Sequence, residues 1–458
     1  MSLLIRNGEI VTVGSRVRAD IYAESETITH IGKNLEVPPG TEIVDAKDKL
    51  VFPGFIDPHV HIYLPFMATF AKDTHETASV AALIGGTTTF IEMCCPNRHD
   101  DALAGYQLWK SKAAGKSACD YAFHMSVTKF VGETESQLRE IVADGTSSFK
   151  IFLAYKNFFG IDDAEMFQTL TLAKRLGVIV TAHCENAELV ARLQQQLLAE
   201  GKTGPEWHEP SRPESVEAEG TNRFATFLEN VGATGYVVHL SCQKALNAAL
   251  LSKQRGVRLS VEAVLPHLLL DKSFAERPGV EGMKYVMSPP LREKHNQHTL
   301  WNGLALGFVD TVGTDHCPFD TQQKLLGKEA FTNIPNGIPG IEDRVNLLYT
   351  YGVKRGRIDL DRFIDVASTR AAKLFGLFPR KGTIAVGSDA DLVVFDPAYR
   401  GTVSVKTQYV NNDYNGFEGM PIEGRPAVVT VRGKIQVRDG NFTGDRSRGQ
   451  FLKRNPMG

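Results

Sequence analysis

Short apolar runs, each followed by a longer stretch with helical periodicity, recur from residue 51 to about residue 316. The runs cover 51–57, 87–93, 121–127, 147–153, 178–184, 235–241, 257–264 and 308–315. Between them, segments 100–114, 135–143, 163–176, 187–200, 215–229, 243–255 and 297–306 place apolar residues on one helical face. Apolar strands alternating with helices are the pattern of parallel βα units. Eight such units predict a closed (β/α)8 barrel, an α/β fold. An open doubly wound sheet is the competing arrangement. No GxGxxG or GxxxxGK motif follows any run, so that fold would lack a phosphate loop.

The flanks have a different texture. Residues 1–50 hold short strand patterns at 3–5, 9–13, 19–24, 28–31 and 42–45, broken by turn residues. After two more helical stretches, 342–351 and 360–375, strand patterns return at 382–385, 390–395, 401–405, 427–431 and 433–438. Each flank is too small to bury a core alone. The two are expected to pair into one β-sandwich fed by both ends of the chain. The expected division is 1–50 and 380–440 for the sandwich, 51–379 for the catalytic barrel and 441–458 for a tail. That tail is polar and basic, and is expected to be a mobile terminus or an arm docked on a neighbouring subunit.

Composition adds exclusions. The 458 residues are 42% hydrophobic and 23% charged, ordinary globular values that exclude a disordered or fibrous chain. Lys plus Arg is 51 against 53 for Asp plus Glu, which supports neither nucleic acid nor an anionic membrane as partner. No stretch nears the ~18 apolar residues of a membrane span, and early charge argues against a signal peptide. Six cysteines, none in a CxxC pair, are expected to be small buried packing residues in a reduced, cytoplasmic protein.

The chemistry sits at the ends of the runs. The first ends in Asp57-Pro58-His59-Val60-His61, the fourth carries Lys150, the fifth ends in His183, the sixth in His239 and the eighth in Asp315. In a parallel barrel all strand C-termini open on one rim, where active sites form. Any one of these residues alone reads as packing. His-x-His on a strand puts both rings on one face, which suits chelation. An ammonium inside an apolar strand is costly unless it is paired, deprotonated or modified. Asp57 could orient a ligand imidazole or cap a turn. Glu185 and His316 adjoin candidate ligands but face away from them on regular strands, and read as residues that support a ligand or the fold; His124 reads as a core histidine.

Taken together, these segments resemble the amidohydrolase superfamily and, within it, the cyclic-amide hydrolases: hydantoinases, dihydropyrimidinases, allantoinases and dihydroorotases. The resemblance spans nearly the whole chain and is closest to bacterial D-hydantoinases. It rests on 53–61, 85–89, 148–150, 183–186, 239–241, 288–290, 313–318, 336–340 and 381–391. It implies two divalent ions, Zn2+ foremost, with Mn2+, Co2+ or Ni2+ as alternatives. His59, His61 and Asp315 match the ligands of one ion, and His183 and His239 those of the second. Lys150 matches the lysine that takes up CO2 as a carbamate (N6-carboxylysine) bridging both. Asp315 then moves the proton during catalysis, Tyr155 hydrogen-bonds the developing oxyanion, and Ser288 and Asn336 hold the ureido edge of the substrate. The resemblance also implies a homotetramer, or a homodimer. Without it, Tyr155, Ser288 and Asn336 are ordinary loop residues.

The loops must choose the ring. Related dihydroorotases carry an arginine two residues after the second His, to hold a carboxylate. Here that position is Tyr63, in an apolar loop with Leu64, Pro65, Phe66 and Met67. Phe152, Phe158 and Phe159 flank Tyr155. Leu64, Phe152 and Phe159 are therefore expected to receive a hydrophobic or aromatic ring substituent. Hydantoin and dihydropyrimidine differ by one methylene, worth only about 1–3 kcal/mol to a pocket, so both are expected substrates. Allantoin is an alternative. A non-catalytic assembly protein would have lost its ligands, and every ligand position is filled. Deaminases of the superfamily usually lack the lysine.

Overall fold

A computed structural model describes residues 2–156 and 158–456. Its centre is one parallel sheet of eight strands in chain order: Phe55–Val60, Thr87–Cys94, Asp120–Ser126, Ser148–Phe152, Ile179–His183, Gly235–Val237, Leu259–Val264 and Thr311–Gly313. All eight expected runs supply a strand. The first and last meet just past their ends, where His61 N–H donates to His316 O (2.8 Å) and Asp315 N–H to His59 O (3.0 Å). These bonds bring the sheet round into a barrel.

Burial on both faces explains why the strands read as continuous apolar runs. Phe149 and Ile151 of the fourth strand pack outward into the main core beneath the helices. Phe152 joins a separate interior cluster with Ile56, Ile91, Ala122 and Ile179. The two-residue period therefore turns Ser148, Lys150 and Phe152 inward. Helix boundaries follow local chemistry. Asp162 caps helix Asp163–Leu176 in a reciprocal pair with Glu165, and Gly177 ends it at φ 66°.

Two further sheets form the sandwich. One orders Thr27–Gly32, Asp20–Glu24, Ser2–Arg6 and Glu42–Asp45. The other has seven strands, among them Leu50–Pro53, Glu9–Thr12, Leu392–Thr402, Pro421–Val431 and Lys434–Arg438. Leu3, Ile5, Ile21 and Val44 of the first sheet share a core with Val51, Leu392, Val394 and Val428 of the second.

The structure departs from the sequence expectations in four places. The run at 51–57 is two strands. Leu50–Pro53 pairs with Leu392–Thr402 in the sandwich, and the barrel strand starts at Phe55. Gly54 makes the break: a Cβ there would lie 2.0 Å from Thr88 Oγ1. Segment 382–385 forms no strand. The chain turns through Gly382 (φ 81°), and Lys381 is drawn inward to Asp120 and Asp391 (2.6 Å each). The helices near 342–351 and 360–375 are interrupted by π-helical turns at Tyr349–Val353 and Asp365–Thr369.

The tail is the fourth departure. It is neither free nor extended away, but lies on its own barrel. Gly449 N–H donates to Ser117 O, Leu452 N–H to Tyr121 O and Arg454 N–H to Gly145 O. Phe451 stacks on Phe123, and the buried Arg454 guanidinium reaches Ser148 Oγ (2.9 Å). Apolar Phe451 and Leu452, set among polar residues, are what the sequence reading overlooked; residues 457 and 458 lie outside the described residues. Asp120, at the start of the third barrel strand, binds Lys381, Arg432 and the backbone N–H of Gln450. All six cysteines are buried and free.

Candidate active site

The barrel rim gathers the candidate residues. His59, His61 and Asp315 each present a ligand atom within 4.8 Å of the others. Asp315 Oδ1 lies 3.2 Å from His59 Nε2 and 3.1 Å from His61 Nε2. The His183 and His239 rings pack edge to face at 4.6 Å, and His239 lies 5.4 Å from His59. Lys150 is fully buried, and its Nζ has no hydrogen-bond partner among the described residues. One cavity is lined by His61, Lys150, His183, His239 and Asp315, with Leu64, Phe152, Tyr155, Phe159, Ser288 and Asn336. The expected ligands and substrate-contacting residues thus line one space, apart from His59, which joins them through the cluster with His61 and Asp315.

Burial sets protonation. It pushes the His61 imidazole down to about 4, and lowers those of His183 and His239. Burial alone would raise Asp315, but the His59 and His61 rings beside it hold its carboxyl at about 2. Burial draws the Lys150 ammonium down to about 8. Neutral imidazoles, an ionised carboxylate and an amine that readily loses its proton are the forms metal binding and carbamate formation require. The orphaned polar atoms His59 Nε2, His61 Nδ1, Lys150 Nζ and His239 Nδ1 are buried together in the same region. This donor set of imidazole and carboxylate fits a borderline divalent ion.

Strain accompanies the site. Tyr155 (φ 57°), His239 (φ 39°) and Asp315 (φ 52°) are non-glycine residues in left-handed conformations, which persist only where their surroundings over-determine them. Tyr155 O accepts from the N–H groups of Phe158, Phe159 and Gly160, fixing that turn. The Tyr155 hydroxyl lies 3.4 Å from Asn336 Nδ2, which donates to Ser288 Oγ at 2.9 Å. Phe66, outside the expected set, packs edge-on against Tyr155 and stacks on Phe159. Cys317 and Gly337 complete the wall. Phe158 is exposed and lines a neighbouring cavity. Tyr63 packs against His75 with the Lys112 ammonium over its ring, and does not line the cavity.

The supporting groups were harder to foresee. Glu262, on the seventh strand, accepts from His59 Nδ1 (2.7 Å), His239 N–H (2.9 Å) and the Tyr236 hydroxyl (2.8 Å). It turns His59 Nε2 toward the site. The sequence signal was a glutamate in an apolar run, the same signal that exposed Lys150. Glu185 does not face away: the strand ends at His183, and the chain swings its carboxylate to His183 Nε2 (2.6 Å), leaving Nδ1 for the site. Arg212 pairs with Glu185 at 2.6 Å and holds its carboxyl, despite burial, at about 2. Asp57 orients no imidazole and instead accepts from Thr314 Oγ1 (2.6 Å). His124 is a core histidine between Ser148 and Pro58 O, and His316 pairs with Asp73 (2.8 Å).

Comparison with known proteins gives a consistent picture. The Amidohydrolase family description matches residues 50–436. A D-hydantoinase of Geobacillus stearothermophilus is 44% identical over 460 residues, covering 100% of this chain and 98% of its own. A dihydropyrimidinase of Caenorhabditis elegans is 38% identical, covering 98% of this chain and 93% of its own. The solved structure of a D-hydantoinase (dihydropyrimidinase) from Thermus sp. superposes with a TM-score of 0.99 at 77% identity, over 99% of both chains.

Proposed function

This chain belongs to the amidohydrolase family, and from that premise we propose how it opens cyclic ureides to N-carbamoyl amino acids. It is a hydrolase of cyclic amides, acting on 5-substituted hydantoins and dihydropyrimidines. The observation that carries the mechanism is the Lys150 amine, buried without a hydrogen-bond partner among the described residues, in one cavity with His61 and Asp315. In the proposal His59, His61 and Asp315 hold one divalent ion, and His183 and His239 hold a second. The Lys150 amine would add to CO2, its C–N bond forming as a C–O π bond opens and a proton leaves, and the carbamate would supply anionic oxygen ligands there. Zn2+ is the proposed metal. When bound, such ions would supply the Lewis acidity for activating a water and polarising the scissile carbonyl.

The chain's own residues then do the following. Asp315 accepts the proton of the attacking water and delivers it to the ring nitrogen as the C–N bond breaks. The Tyr155 hydroxyl donates to the oxyanion forming on the scissile carbonyl. Ser288 and Asn336 hold the ureido edge, while Leu64, Phe152 and Phe159 receive the ring substituent and exclude water. Catalysis falls to the barrel region, which begins at Phe55, with the sandwich drawn from both ends of the chain as support. A preference for D-substrates, a cytoplasmic location and a homotetramer complete the proposal. Among the described residues no helix is long and apolar enough to cross a membrane. Allantoinase activity and a non-catalytic assembly role are not favoured.

The test is turnover of racemic 5-phenylhydantoin and of dihydrouracil by metal-replete protein, with chiral analysis of the product, metal counting and light scattering. Two metal equivalents per chain with ring opening are expected. Protein that binds no transition metal, or opens neither ring, would overturn the proposal.

A further inference from the structure

Lys324 carries a buried amino group with no carboxylate within ion-pairing distance among the described residues. It closes a short helix, Thr321–Lys324, in the same excursion that leaves the eighth barrel strand through Asp315 and Cys317. Its Nζ donates to Val286 O (3.0 Å), Pro335 O (2.7 Å) and Gly337 O (2.8 Å). These carbonyls belong to two loops far apart in sequence, the ones that carry Ser288 and Asn336. A direct bond from Gly337 N–H to Val286 O (2.9 Å) joins the loops at the same point. Residue 337 is also packed close against the segment after the eighth strand, where a Cβ would lie 2.2 Å from Cys317 O.

Two buried histidines extend the pattern. His208 Nε2 bonds Met287 O (2.8 Å), and His267 Nε2 bonds Pro289 O (3.1 Å). The carbonyls on both sides of Ser288, and on both sides of Asn336, are thus held by basic side chains from behind. Those of Ser288 and Asn336 accept from no protein donor among the described residues. The backbone groups left over are the ones beside the cavity, where Ser288 and Asn336 line the wall.

We propose that Lys324 is a positioning residue for substrate recognition: by tying together the carbonyls of Val286, Pro335 and Gly337, it locks two loops so that the free backbone groups of Ser288 and Asn336 face the ureido edge of the ring. The inference rests on the cyclic-ureide reading above. A ring N–H needs an acceptor in a fixed place, and an acceptor on an unbraced loop has to be ordered at each binding event. Losing the brace therefore weakens binding of substrate and transition state together, which appears in KM rather than kcat.

The test compares wild type with Lys324→Met, and with Lys324→Gln as the milder variant, using 5-methylhydantoin and dihydrouracil. The expected result is a KM at least tenfold higher for both rings in K324M, a smaller rise in K324Q, a kcat within about threefold and an unchanged metal content. KM does not depend on the fraction of folded enzyme, so a purely structural role would lower yield and Tm and leave KM in place. A folded variant with wild-type KM overturns the inference, as does a loss of kcat with KM unmoved. If neither variant folds, Lys324 serves the fold alone and the inference falls. A wild type that opens neither ring sinks the functional reading instead, and the inference with it.

Discussion

Glu262 offers the sharpest test of how the His59 imidazole is held. Its carboxylate accepts from His59 Nδ1–H and His239 N–H on one oxygen and from the Tyr236 hydroxyl on the other. Glu262→Gln keeps the shape. Its amide oxygen still faces His59 and His239, while its NH2 meets Tyr236, whose hydroxyl can turn its proton to Thr311 Oγ1 at 2.6 Å. What is lost is charge. Hydrogen bonds to a charged group contribute about 1.5–3 kcal/mol against about 0.5–1.5 for neutral ones. Two weakened bonds at the imidazole end then come to about 2–3 kcal/mol. That agrees with the 10–100-fold, or about 1.4–2.7 kcal/mol, that removing such an outer partner typically removes from metal affinity or activity. The assay is competition with a chelator for the metal, run beside kcat/KM on a hydantoin. Glu262→Ala should be worse, because it leaves the buried His59 N–H unpaired and opens a void. Wild-type metal affinity and turnover in E262Q would refute the reasoning, since His59 would then need no anionic partner.

Four further outcomes are expected. Lys150→Ala should lose metal and nearly all activity, with short carboxylic acids restoring part of each; full activity in the untreated variant would contradict the bridging role. Tyr155→Phe should lower kcat by about 10²-fold, the scale of one oxyanion donor, with metal content intact on elemental analysis. Burial raises the Asp343 carboxyl from 3.8 to about 6. The folded state therefore disfavours its charged form, and stability present below pH 3.8 is lost as pH rises through 6, by about 3 kcal/mol at most. Asp343→Asn should accordingly raise the thermal midpoint at pH 8 and leave it unchanged at pH 4; equal shifts at both would reject this sign. Arg454→Ala should destabilise the fold by about 1–3 kcal/mol, by stripping donors from buried acceptors, without moving KM.

The barrel was legible because burial on both faces forces each strand into an unbroken apolar run, and because the strand ends carry the reactive side chains. The division at Gly54 was hidden, since two buried strands separated by one residue leave the same apolar trace. Lys150 stood out as a charge where none is comfortable. Glu262 sent the same signal but answers to residues on the first and sixth strands, a pairing that only the closed sheet reveals. Glu185 defied the alternation rule because the strand stops at His183, and alternation holds only while a strand continues. The loop residues Tyr155, Ser288 and Asn336 carried no local signal beyond turn chemistry; family resemblance alone singled them out. Lys324 was invisible, because its partners are backbone carbonyls and leave no trace in side-chain patterns.

Asp120 has a consequence for how the molecule comes apart. Its one carboxylate grips chain at residues 381, 432 and 450, and lies at the base of the barrel's third strand. Trypsin has an exposed target at Lys406, inside the connection between Leu392–Thr402 and Pro421–Val431. A cut there severs the peptide but none of those grips, so both pieces stay assembled and migrate as one particle until denaturant is added. Covalent continuity and structural integrity are thus separate properties at this point. A preparation that gel filtration passes as intact is expected to reveal such a cut only on a denaturing gel.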